Sequence, residues 1–176
     1  ADVARRKESL LGTNQFPNFN EMAGDKIVLE GCKCGCAHNA EGGVATIPTE
    51  RAASDFEALR LATEKAANRP KVFMLTIGNL AMRLARSQFS ANFFACAGYE
   101  IIDNLGFNSV EEGINAAMEK KADIVVLCSS DDEYATFAPE AFKLLNGRAE
   151  FVVAGNPACT EELQAAGITN FVHVRS

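Results

Sequence analysis

Residues 71–100 read KVFMLTIGNLAMRLARSQFSANFFACAGYE, and the change of rhythm inside this stretch constrains the fold more than any other feature. An apolar run with β-branched Val72, Thr76 and Ile77 stops at Gly78-Asn79. Beyond that turn the chain takes up a helical period that Ala97-Gly98 closes. This is strand, tight turn, helix, the opening unit of an α/β domain. In such sheets ligands bind outside the carboxyl ends of the strands, where that first turn lies.

The same alternation continues downstream. Residues 99–103 are predicted as the second strand, and Ser109 as the N-cap of a helix over 110–121 with Glu111 and Glu112 in its first turn. Residues 123–128, DIVVLC, form an unbroken apolar run suited to a central parallel strand buried on both faces. A third helix is expected over 134–146, ended by Gly147 at a C-cap position. A fourth strand over 150–154, a short helix over 160–166 and a last strand over 170–174 complete the pattern. Strands alternating with helices require right-handed crossovers and a parallel sheet covered on both faces. The expected fold over 71–176 is therefore α/β, a flavodoxin-like (Rossmann-like) doubly wound five-stranded parallel sheet in the order 2-1-3-4-5.

Upstream, the chain has a different texture. Residues 1–11 read as a helix end running into an extended piece, and 12–20 string turn formers together with Phe16 and Phe19 as aromatic anchors across a surface. A short strand is predicted over 26–30 and an irregular loop over 32–43. Residues 54–64 form an amphipathic helix, with Ser54 as N-cap, Glu57 in the capping-box position, and Phe56, Leu59 and Ala62 or Thr63 on one face. Asn68-Arg69-Pro70 ends it, which places a domain boundary within 66–70.

Composition excludes some functions. A net charge of -6 and a pI of about 5.0 leave no basic footprint for nucleic acid or an anionic membrane. No apolar run approaches the roughly 20 residues that span a bilayer, and the start lacks a signal-peptide core, so a cytoplasmic protein is expected. The first residues, Ala-Asp-Val without Met, suggest a piece of a longer polypeptide. Of the six cysteines, Cys96 and Cys128 fall inside apolar patterns and are expected as buried, reduced thiols.

The loops at the expected ligand edge are Gly78-Asn79-Leu80, Ser129-Ser130-Asp131-Asp132 and Gly155-Asn156-Pro157. The first is neither a phosphate loop nor a dinucleotide fingerprint. Asp131 and Asp132 invite a phosphoacceptor or Mg2+ reading, but that chemistry also needs acidic residues after the first strand, and none is there. They read as solvated acids near a helix N-terminus. Neither His38 nor His173 shares a motif with a carboxylate, and Ser129 and Ser130 have no visible base, so a nucleophilic triad is unsupported. Cys32, Cys34, Cys36 and His38 offer metal-ligand chemistry, yet alternation at every second residue is ill suited to surround a metal tetrahedrally, and a packed or irregular loop is favoured. In the helix after Gly78, Ala81, Ala85, Phe89, Phe93 and Ala97 recur at i+4 with Met82 and Phe94 beside them, a core stripe. Arg83 and Arg86 lie at its edge, available for an ion pair.

Residues 71–101, preceded by ASDFEALRLATE and ARRKESLLGTNQFPN, resemble the small, non-catalytic subunits of heterodimeric bacterial methylmalonyl-CoA mutases over nearly the whole chain. The resemblance implies that 1–70 joins a missing (β/α)8 barrel to a cobalamin-binding-like domain at 71–176. Family members that bind adenosylcobalamin carry Asp-x-His-x-x-Gly after the first strand, where the His coordinates cobalt and the Asp orients it. The matching positions here are Leu80, Met82 and Ala85, so ligand, orienting acid and glycine are all absent; Met82 is expected to pack in the core. A Ser-rich turn is partly kept as Ser129-Ser130, a Gly-Gly turn is reduced to Ala154-Gly155, and Phe89, Phe93 and Phe94 crowd the space for the nucleotide tail. The resemblance thus implies a chain that binds no cobalamin and has no catalytic residue. It would support a larger catalytic subunit that holds adenosylcobalamin and interconverts methylmalonyl-CoA and succinyl-CoA. Two alternatives stand beside it: a free-standing flavodoxin-like small-molecule-binding or signalling module, and a metal or redox site at Cys32 to His38 that regulates assembly.

Overall fold

The computed structural model describes residues 2–23, 51–174 and 176. The strand expected over 26–30, the loop over 32–43 and the ligand candidates Cys32, Cys34, Cys36 and His38 lie outside the described residues. The elements run α1 (Ser54–Lys65), β1 (Lys71–Thr76), α2 (Leu80–Ala95), β2 (Glu100–Ile102), α3 (Val110–Glu119), β3 (Ile124–Cys128), α4 (Tyr134–Leu145), β4 (Glu150–Ala154), α5 (Thr160–Ala165) and β5 (Asn170–Val172). All five strands are parallel and ordered β2-β1-β3-β4-β5. This is the expected flavodoxin-like sheet.

The reversal of strand order places β1 beside β3, with Thr76 opposite Cys128 at their carboxyl ends. Side chains on a strand alternate between faces. Phe73, Leu75, Val125, Leu127 and Val153 join Val110, Ile114, Ala138, Ala141, Leu145 and Leu163 in one core cluster. Val72, Met74, Val126, Cys128, Val152 and Ala154 join Ala91 in the other, with Phe89, Phe93 and Phe94 packed at its border. Covered on both sides, the central strands need apolar residues at every position, which is why DIVVLC carries no alternation.

Several local expectations are corrected. The buried residues of α2 are Ser87, Ser90, Ala91 and Ala95, while Ala81, Met82 and Ala85 are exposed. Of the predicted stripe, Phe89, Phe93 and Phe94 pack at the border of the core, whereas Ala81, Met82 and Ala85 face outward. Small side chains let α2 lie close against the sheet, and the Ser87 hydroxyl donates to Asp103 Oδ1 at 3.1 Å. The capping box of α1 does not form. Ser54 is already helical, its hydroxyl donates to Arg51 O at 2.8 Å, and Glu57 pairs with Arg51. Thr63 is buried where Leu59 and Ala62 are exposed. The left-handed residue that ends α4 is Asn146 (φ 48°), with Gly147 following at φ 70°.

The amino-terminal segment forms turns rather than a helix end. Asn14 organises it, donating to Val3 O at 3.0 Å and Glu8 O at 2.8 Å and accepting from Leu10 N at 2.8 Å. Phe16 and Phe19 are not anchors, being 68% and 37% exposed. Arginines hold the segment instead. Arg60 donates to Asn18 O and Glu21 O, and Arg69 to Phe19 O and Gly98 O. The Arg6 guanidinium lies 4.8 Å from the centre of the Phe93 ring. A cation so placed is attracted by the ring's quadrupole.

Candidate functional site

Three loops meet at the carboxyl edge where the strand order reverses, the place at which this class of sheet takes ligands. Residues 77–79 leave β1, 129–133 leave β3 and 155–157 leave β4. Glu133, between β3 and α4, sends its carboxylate back across them. One oxygen, Oε2, accepts from Ser129 Oγ at 2.6 Å, Ser130 Oγ at 2.7 Å, Asn79 N at 3.1 Å and Ser130 N at 3.2 Å. Gly78 makes room for it: φ is +77°, and a Cβ there would collide with the carboxylate. Donors favour the charged form of an acid. The Ser129 hydroxyl first, then that of Ser130 and the two backbone N–H groups, hold the Glu133 carboxyl down to about 2.

Two arginines of α2 close the remaining gaps. Arg86 Nη2 reaches Asp131 Oδ1 at 3.0 Å and Oδ2 at 3.2 Å, an ion pair between α2 and the loop after β3. Arg83 donates to Gly78 O at 3.3 Å and to Leu105 O at 3.1 Å, tying down the loop after β2. The ion pair expected of these arginines is made by Arg86, whereas Arg83 binds carbonyls. Below them, the fully buried Tyr134 hydroxyl accepts from Ser129 N at 3.1 Å and donates to Ala154 O at 2.5 Å, joining the ends of β3 and β4. Burial pushes this phenol and the Cys128 thiol well above their ordinary ranges. Asn104 takes the Thr76 hydroxyl and Gly106 N on its Oδ1 and donates to Met74 O.

Chemically, this edge is engaged with itself. A carboxylate as acidic as Glu133 is a poor proton acceptor, which disfavours a pairing of Glu133 as base with Ser129 as nucleophile. Asp131 is held by Arg86, and no acid follows β1, which disfavours the phosphoacceptor reading. His173 lies beyond β5, its backbone N–H donating to Ser176 Oγ at 3.0 Å. Leu80, Met82 and Ala85 fall in the first two turns of α2, Leu80 and Met82 60% and 37% exposed. The core position expected for Met82 is thus corrected, since its face of α2 points outward; Met82 N donates to the capping Asn79 Oδ1 at 3.1 Å. Among the described residues no three His, Cys, Asp or Glu side chains cluster as metal ligands, and no helix is long and apolar enough to cross a membrane. Cavities of about 400 and 310 Å3 lie beside the amino-terminal segment and α1, with no lining residue from the three loops.

Sequence reasoning missed Glu133, Tyr134 and Asn104. The signal for Glu133 was present as Ser130-Asp131-Asp132-Glu133, a Ser-x-x-Glu spacing that marks a helix start. Tyr134 and Asn104 left none, because each ties to a strand remote in sequence, Tyr134 to Ala154 O and Asn104 to Met74 O and the Thr76 hydroxyl.

Fold and crevice together define a flavodoxin-like α/β domain whose ligand edge is filled by its own side chains. No protein-family model matches the chain. Over 174 residues, 99% of its length, the chain is 67% identical to the methylmalonyl-CoA mutase small subunit of Porphyromonas gingivalis, of which it spans 28%. It is 29% identical over 147 residues to the methylmalonyl-CoA mutase small subunit of Streptomyces virginiae and over 137 residues to a probable one of Mycobacterium tuberculosis, spanning 22% and 20% of them. Along nearly its whole length the chain is thus similar to methylmalonyl-CoA mutase small subunits, over a stretch covering less than a third of their length.

Proposed function

We propose that this chain is the non-catalytic, cobalamin-free part of a methylmalonyl-CoA mutase small subunit. It serves a larger subunit that binds adenosylcobalamin and interconverts methylmalonyl-CoA and succinyl-CoA, the two forming a heterodimer. The observation that carries the reading is the state of the backbone at residues 80, 82 and 85. A histidine that ligates cobalt must project from a loop at the sheet edge, with a carboxylate to orient it. Here helix α2 has begun by Leu80, and the residues at these positions are Leu, Met and Ala on its exposed side.

The surroundings do not fit the cofactor either. The hydroxyls of Ser129 and Ser130 are taken by Glu133. A Cβ at Gly155 would already lie 3.2 Å from Asp131 Oδ1, 3.3 Å from Tyr134 Cε2 and 3.4 Å from Arg86 Cζ, so these side chains crowd the space over Gly155 that a nucleotide tail would need. Beneath α2, Ala91 packs on the sheet.

Co-expression of the full-length small subunit with its larger partner tests the reading. The expected result is a one-to-one complex whose mutase activity changes by less than a few-fold in Ser129→Ala or Asp131→Asn. A loss of roughly a hundredfold or more, the scale of a removed catalytic group, with the complex intact would overturn it.

A further inference from the structure

We infer that Glu133 acts as a latch: the chain's own carboxylate is the ligand that holds the ligand edge of the sheet shut, joining the loop after β1 to the loop after β3. Four donors from three residues converge on one oxygen of a side chain that starts outside both strands. Ser129 is fully buried with the carboxylate in place, its hydroxyl donating to Glu133 Oε2 at 2.6 Å. The backbone is shaped for this contact, since Gly78 takes a left-handed conformation at the one place where a Cβ would strike the carboxylate. Asn79, whose N–H is one of the four donors, also caps α2 through its own side chain. Release of Glu133 thus frees the start of α2 as well as the loop after β3. The lowered pKa of the group has its origin in the same convergence of donors.

The latch concerns this chain alone and stands or falls independently of the mutase reading. In Glu133→Ala the donors remain and the carboxylate is gone. Hydrogen bonds to a charged acceptor are stronger than neutral ones, and four are lost together. The thermal midpoint should fall by on the order of 5 °C. Formate, a free carboxylate small enough for the vacated space, should restore part of that loss in a saturable manner at constant ionic strength. Chloride should not, and wild type should not respond to formate. Absence of a loss in Glu133→Ala, or an equal rise of wild type and variant with formate, would overturn the inference. Should Glu133→Ala not fold, Glu133→Gln provides the second readout. Amide exchange at Asn79 and Ser130 is expected to quicken at least about tenfold relative to the β3 amides, and unchanged exchange there would equally overturn it.

Discussion

On one face of the sheet, α3 and α4 press Val110, Ile114, Ala138, Ala141 and Leu145 against Phe73, Leu75, Val125 and Leu127. On the other, α2 buries Ser87, Ser90, Ala91 and Ala95 beside strands carrying Val72, Met74, Val126 and Cys128. The first face is held by apolar volume; the second relies on close approach of backbone to sheet, with polar contacts at the helix's start. Arg83, Arg86 and the Asn79 cap belong to α2, and all of them bind loops at the carboxyl edge or the helix's own N-terminus. The side of the domain with the weaker apolar packing is therefore the side that closes the ligand edge.

The largest effect that would sharpen this contrast is expected on the α3–α4 face. Leu127→Ala removes a fully buried side chain from the cluster and should cost about 2–5 kcal/mol, measured by urea unfolding. A cost below about 1 kcal/mol would mean that this face is not the main support of the fold.

The second effect is on acid stability. Glu133 has its carboxyl held at about 2 in the folded chain, below the roughly 4.3 of a free glutamate. Its contribution is therefore fully present above the unfolded value and is lost as pH falls toward 2. Wild type should lose stability more steeply than Glu133→Gln between about pH 4.5 and 2.5. Parallel pH profiles would remove the electrostatic role assigned to the edge.

The same contrast separates what was legible in the sequence from what was not. DIVVLC announces a strand buried on both faces, and Glu150–Ala154 is a strand with the bounds its pattern suggests. Alternation of elements implied a parallel sheet, and the order expected of a flavodoxin-like arrangement is the one the sheet has. The inward face of α2 was misread because the larger apolar residues, Phe89 and Phe93, lie at the border of the core and against Arg6, while the buried positions are filled by serine and alanine. Hydrophobic periodicity finds the side of a helix that needs covering, which here is not the side closest to the sheet. Absence of the cobalt motif at Leu80, Met82 and Ala85 could be read from residue types, but what replaces it could not. The Ser130-x-x-Glu133 spacing singles out Glu133 as the acid returning to Ser130, but only the fold shows that it also takes Ser129 and Asn79 while Asp131 turns to Arg86.

The smallest effect belongs to the α2 face. The Ser90 hydroxyl is buried beside Cys128 without a well-formed hydrogen bond. Ser90→Ala should lie within about 0.5 kcal/mol of wild type or be slightly stabilising, because no satisfied polar contact is lost. A cost above about 1 kcal/mol would show that this hydroxyl supports the helix as Leu127 supports the opposite face.

The most direct test of a self-closed, cobalamin-free edge is titration of the chain with adenosylcobalamin, followed by visible absorption. The account predicts no saturable spectral change and no conversion to the base-off form. A saturable base-off conversion would contradict it, since the cofactor would then have entered an edge that Glu133 and Arg86 are held to close.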